Sequence, residues 1–110
     1  MPQNSVKAIP LVTFNSAGLL ATYLPLNGPD GLPEPCFWLQ INNESTVNII
    51  ISFDGVTDHM FCENGSIFPF FANFGKLPKS EVALFRAHQI IYAKSAAPGV
   101  GNIYISGFYV

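Results

Sequence analysis

Short runs rich in β-branched and aromatic side chains recur along this chain, and Gly, Asn, Asp or Pro separate them. That spacing is the pattern of an all-β sandwich or barrel. Strands are expected over Lys7–Phe14, Gly18–Leu24, Cys36–Ile41, Val47–Phe53, His59–Cys62, Ser66–Phe71, Gln89–Lys94 and Asn102–Tyr109. The expected fold is a single antiparallel β-sandwich, jelly-roll-like, of about eight strands.

The punctuation between these runs sets the loops. Pro25, Pro29, Pro33 and Pro35 with Gly28 and Gly31 make residues 25–35 unable to sustain a ladder or a helix, so a long loop is expected there. Asn42-Asn43-Glu44-Ser45 reads as a hairpin turn, and the nearly continuous apolar stretch Val47–Ile51 that follows reads as a central strand buried on both sides. Asp54-Gly55 and Asn64-Gly65 supply the positive φ angles of tight turns and bracket a short strand around Phe61, which predicts a meander. In the last strand Ile103, Ile105 and Gly107 share one face, and Tyr104, Ser106 and Phe108 the other. Ala96–Gly101, with its small residues, suits an exposed tip before it. Ser80–His88 has an N-cap candidate and good helix formers, so a two-turn helix competes there with strand or irregular structure, and the latter is favoured. Phe85 and Leu84 are core candidates either way.

A chain of 110 residues sets a prior of one domain, with a possible N-terminal arm at residues 1–6. Composition changes the picture more than length does. Only five Lys or Arg and seven Asp or Glu are present, so 11% of the side chains are charged, against roughly 25% in ordinary soluble domains. The exterior must then be largely neutral, a surface that favours contact over solvation. A net charge of −2 offers no field able to neutralise many phosphates, so nucleic acid is not an expected partner.

Cys36 and Cys62 fit neither a zinc framework nor a CxxC pair. A buried pair of free thiols in a reducing compartment is expected; a disulfide stays open if the strands carrying them are neighbours. The uncharged run Ala8–Pro29 is 22 residues long, but the turn signal Asn15-Ser16-Ala17-Gly18 and the prolines 10, 25 and 29 divide it, so no membrane span is expected. The start MPQNSVKAIP lacks the features of a secretory signal.

Candidate chemistry is sparse. Asp54, Asp58, His59 and Glu63 form the densest polar cluster, and Asp54 and Asp58 are the candidate metal ligands if a turn brings their carboxylates together. Against that stands the turn itself, since Asp-Gly and Thr57-Asp58 are explained by backbone hydrogen bonding. Neither His59 nor His88 has a Cys, Ser or second His at a useful spacing. Pro98–Asn102 lacks the Lys-Ser/Thr of a phosphate loop. Ile67–Phe74 holds four phenylalanines, which suit core packing or a subunit contact better than base stacking, because Lys76 and Lys79 are the only basic neighbours. No catalytic residue, cofactor or enzyme activity is expected.

The segment Ile51-Ser52-Phe53-Asp54-Gly55-Val56-Thr57-Asp58-His59, with Ile41–Ser45 before it, Asn64-Gly65 after it and Gly101–Tyr109 at the end, resembles small virion structural proteins of tailed bacteriophages. The resemblance covers roughly residues 37–109, while residues 1–35 match no such pattern. It implies a compact β-sandwich without enzymatic activity, attached to the head or neck of the particle, commonly as a multimer.

The expected function is that of a capsid decoration or cement protein in the virion, assembled in the host cytoplasm and binding the major capsid protein or other virion proteins. A homo-oligomer is expected, a trimer where the lattice site is three-fold. The expected contacts are the N-terminal arm, the proline loop (Pro25, Pro29, Pro33), the phenylalanine-rich edge (Phe68, Phe70, Phe71, Phe74) and the C-terminal strand with Tyr109. Two alternatives remain open. One is a head-to-tail or tail-fibre component. The other is a small-molecule or glycan-binding sandwich, suggested by Trp38, Tyr23 and the Asp54–His59 cluster.

Overall fold

A computed structural model of the chain describes residues 6–71 and 85–109, with only the backbone of Phe70 and Phe71. Nine strands are present among them: β1 (Lys7–Ala8), β2 (Val12–Asn15), β3 (Leu24–Pro25), β4 (Trp38–Asn43), β5 (Ile49–Ser52), β6 (Met60–Cys62), β7 (Ile67–Phe71), β8 (Tyr92–Lys94) and β9 (Asn102–Tyr109). They form two antiparallel sheets that pack face to face. In the first, β1 and β2 both pair with β9, which is followed by β4 and β7; the second runs β3-β8-β5-β6.

With β1 and β2 counted as two halves of one edge strand, the strand order is that of a jelly roll. Every link between these strands crosses from one sheet to the other except the β5–β6 hairpin. That alternation corrects two local expectations. Asn42–Ser45 is not a hairpin turn, because β4 pairs with β7 and β9 and not with β5. Nor do the two Gly turns make a meander, because β6 and β7 lie in different sheets.

The reason lies in Asn43, which is wholly buried at the end of β4. Its Nδ2 donates to the carbonyls of Val47 (2.9 Å), Cys62 (3.2 Å) and Glu63 (3.2 Å), while its Oδ1 accepts from the Ser45 N–H (3.1 Å) and Ser45 Oγ. One side chain therefore ties the β4–β5 crossover to the β6–β7 crossover. The Asn43 backbone joins in, its N–H donating to Ser66 and its carbonyl accepting from Gly65. Gly65 has a φ of 77°, as the turn reading required.

The core is the interleaved inner faces. Leu39, Ile41, Ile103 and Ile105 come from the first sheet, and Ile49, Ile51, Cys62 and Ala93 from the second. Each fully buried aliphatic side chain contributes about 1.5–3 kcal/mol relative to exposure. β9 alternates as its sequence predicts, with Ile103, Ile105 and Gly107 buried. β5 is central in its sheet, but only Ile49 and Ile51 face the core; Ile50 is half-buried on the outer face.

Two long expected strands are broken. Lys7–Phe14 divides because Pro10 has no N–H to give the ladder, although Ile9 still donates to Gly107. The expected turn at 15–18 is a 3₁₀ turn over Ser16–Gly18, capped by Asn15 Oδ1 accepting from the Ala17 N–H (2.9 Å), and of the expected strand Gly18–Leu24 only Leu24 lies in a strand. Ser16 is buried and donates to Gly101 (2.7 Å), Leu19 is fully buried, and only Leu24–Pro25 reaches β8. Residues 80–84 of the ambiguous Ser80–His88 segment lie outside the described residues. Phe85 forms an isolated antiparallel bridge with Cys36 and packs against the core.

The expected consequence of this arrangement is a stability loss centred on Asn43. Asn43→Ala removes the amide donor shared by the Val47, Cys62 and Glu63 carbonyls and the acceptor of the Ser45 N–H, at about 3 kcal/mol. Asn43→Asp keeps an acceptor but loses the donors, so it too is destabilised. Urea unfolding should show a lower midpoint with an unchanged slope in both variants.

Candidate functional site

The β5–β6 loop carries the densest polar cluster, and the structure separates its two carboxylates by role. Asp54 Oδ1 accepts from Ser52 Oγ, the Val56 N–H and the Thr57 N–H, each at 2.8 Å. Those bonds, with the backbone donors of Thr57 and Val56 foremost, hold its carboxyl below its ordinary value of 3.8. Ser52 Oγ in turn accepts from the Gly55 N–H (2.9 Å). Gly55 has a φ of 80°, and a Cβ there would lie 3.2 Å from the Tyr92 ring, so only glycine closes this turn over β8.

Asp58 faces other partners. Its Oδ1 accepts from Tyr23 OH and pairs with Lys94 Nζ at 3.1 Å. The ammonium also sits 4.6 Å from the centre of the Tyr23 ring. The Tyr23 bond and then Lys94 lower the Asp58 pKa, while burial and then Asp58 push Tyr23 up to about 12. The trio ties β8, the loop and the segment before β3 together on the outer face of the second sheet. Chemically it is quiet: the tyrosine keeps its proton at neutral pH and the lysine charge is compensated.

Asp54 and Asp58 are thus engaged separately, and among the described residues no three His, Cys, Asp or Glu side chains gather as a metal site. The two histidines serve the backbone. His59 Nδ1 accepts from the Phe53 N–H (3.0 Å) and its ring packs on Phe53, with centroids 5.6 Å apart. His88 has a φ of 68° and places Nδ1 3.2 Å from the Asp30 carbonyl oxygen. Cys36 and Cys62 are buried free thiols, both raised in pKa chiefly by burial, which suppresses their thiolate reactivity.

The proline loop is pinned rather than loose. Leu26 and Leu32 are buried, and Asn27 accepts from the Ile91 N–H (2.8 Å) while donating to the Gln89 carbonyl (3.1 Å). Anchoring these residues inward leaves Pro25, Pro29 and Pro33 exposed. Beside the loop lies a depression of about 560 Å³, lined in part by Pro10, Leu11, Asp30, Pro33 and His88, with Leu11 59% exposed. Composition alone hid the two polar anchors, Asn27 and Asn43. Both are turn formers by type, and only the strand pairing shows that each binds a main chain distant in sequence.

At the phenylalanine-rich edge and the C-terminal strand, the described contact candidates Phe68 and Tyr109 are half-buried. Phe68 packs half-buried against the core, and among the described side chains of β7 the exposed ones are Ile67 and Pro69. Tyr109 likewise packs on the core, while Phe108 is exposed beside Trp38, their ring centroids 5.0 Å apart. The side chains of Phe70 and Phe71, Phe74 and residues 1–5 of the arm lie outside the described residues.

No protein-family model matches the chain. Comparison with curated proteins and with solved structures finds no match either.

The depressed Asp54 carboxyl has a definite sign. A group whose folded pKa lies below its unfolded value stabilises the fold above the ordinary carboxylate range, and that contribution is lost as pH falls through the folded pKa. Wild-type Tm should therefore decline in acid. Asp54→Asn keeps an acceptor oxygen without the charge, so it should start lower at neutral pH and lose less in acid, as thermal unfolding against pH would show. Added calcium should leave both curves in place.

Proposed function

We propose that this chain is a non-enzymatic virion structural protein of the head-decoration type, which binds a capsid lattice through apolar and neutral surface. The observation that carries the reading is the set of large apolar side chains left exposed on a surface poor in charge: Leu11, Leu20, Phe61, Ile67 and Phe108. Contact surfaces of lasting assemblies are depleted in charge at their centres and enriched in aromatic groups. The jelly-roll strand order supports it, as this architecture recurs in viral capsid domains, although it also serves lectins and cupins. The chemistry of the side chains is in keeping, since the buried thiols and the compensated Lys94 offer no activated nucleophile.

On this reading the rigid proline loop and Leu11 form the docking end. Exposed rings of proline cost little entropy to immobilise, and the loop is already held by Asn27. The partner is the major capsid protein or a neighbouring virion protein.

The test is co-sedimentation of the purified chain with shells of the virion encoded alongside it. Wild type should pellet with shells and raise their thermal midpoint. Leu11→Glu should bind about tenfold more weakly or worse, with its own Tm unchanged because the site is exposed. A wild-type chain that stays in the supernatant would sink the proposal. Electron microscopy placing bound chain at the neck would favour the head-to-tail alternative.

A further inference from the structure

We propose that a second copy of this chain docks on the free edge of β6, pairing β6 with β6 about a two-fold axis so that the β3-β8-β5-β6 sheets of two copies join into one. The two edges of that sheet differ. At one, β3 carries Pro25, which has no N–H to offer, beside further prolines at 29 and 33. At the other, β6 pairs only with β5 among the described residues and neither proline nor lysine guards it; the Cys62 and Glu63 carbonyls accept from Asn43 and the His59 N–H donates to Ile51, so the pairing centres on Phe61. Phe61, at the middle of this edge strand, is 54% exposed.

The exposed side chains of this edge are self-complementary. His59, Phe61 and Glu63 are all exposed and share one parity, while Cys62 is buried and Met60 half-buried on the other. Antiparallel pairing centred on Phe61 sets Phe61 against its own copy. It also sets His59 opposite Glu63 of the second copy, twice, once on each side of the axis. The Phe53 N–H already occupies His59 Nδ1, so in the neutral ring Nε2 carries the proton and is free to donate to that carboxylate. Apolar contact at the centre flanked by donor–acceptor pairs is what cross-strand stabilisation requires. Ile50, in register with Phe61 on the half-buried outer face, extends the apolar strip.

A two-fold contact of this kind is isologous and closes as a dimer, in place of the trimer expected from three-fold lattice sites. It needs no shell, so its failure and the failure of shell binding are read in separate experiments.

Light scattering and sedimentation equilibrium of the full chain over a concentration series decide it. The expected mass at high concentration is twice the 12.0 kDa of one chain. Phe61→Lys should weaken association about tenfold or more, at an unchanged Tm. His59→Glu alone opposes two carboxylates and Glu63→Lys alone opposes two donors, so each should weaken the dimer, whereas the double variant restores opposite partners and should recover it. A wild-type mass that stays monomeric at every concentration, or settles at a trimer, overturns the proposal. So does undiminished association of Phe61→Lys, or a double variant that keeps its Tm yet stays as weak as its parents.

Discussion

The sandwich depends on one buried amide. A jelly roll sends nearly every connection across the gap between its sheets, and each crossover leaves backbone carbonyls at the end of the core with no ladder to satisfy them. Asn43 meets the need for two crossovers at once, donating to Val47 on one and to Cys62 and Glu63 on the other. An apolar residue could fill the same volume but would break the link between the two crossovers, leaving Val47 to Ser45 Oγ and Glu63 to Ser66. Leu39 and Ile41 share one core cluster with Ile49 and Ile51, because the crossover places β5 in the sheet opposite β4 rather than beside it.

The same solution recurs elsewhere. Asn27 holds the proline loop to the segment that leads into β8, and Ser16 Oγ bonds Gly101 from the turn after β2. Ser52 and Asp54 build the β5–β6 loop from side-chain bonds to its own backbone. Many of the chain's polar groups thus serve internal main chain. The exterior is largely neutral because the chain carries few charges to begin with.

This division explains what could be read from the residues alone. Strand positions follow from short apolar runs, and β9 matches its expected span because nothing interrupts its alternation. Sheet pairing is less legible. Asn-Asn-Glu-Ser has the composition of a hairpin, and nothing local distinguishes a turn former that ends a hairpin from one that bonds carbonyls up to 20 residues away. Which contact candidates face outward is less legible for a related reason: at the end of β9, tyrosine and phenylalanine fill inward and outward positions in turn. Phe68 and Tyr109 lie inward while Ile67 and Phe108 do not, because the pairing register, not residue type, sets the face. The Asp54 turn was legible because its partners are neighbours in sequence. The Tyr23–Asp58–Lys94 group was not, since 35 residues part the first two.

Scarcity of charge also decides how such a surface recognises anything. Steering by long-range fields needs clustered charge of one sign, and the described ion pair on this molecule, Asp58 with Lys94, cancels locally. Discrimination must then come from shape and from the removal of apolar area from water, which act only at contact distance. Rigid features are the ones suited to that task, because a surface that must order itself on binding loses what little it gains per contact. The proline loop, held by Asn27, and the end of β6, held by Asn43, meet this condition through polar side chains turned inward.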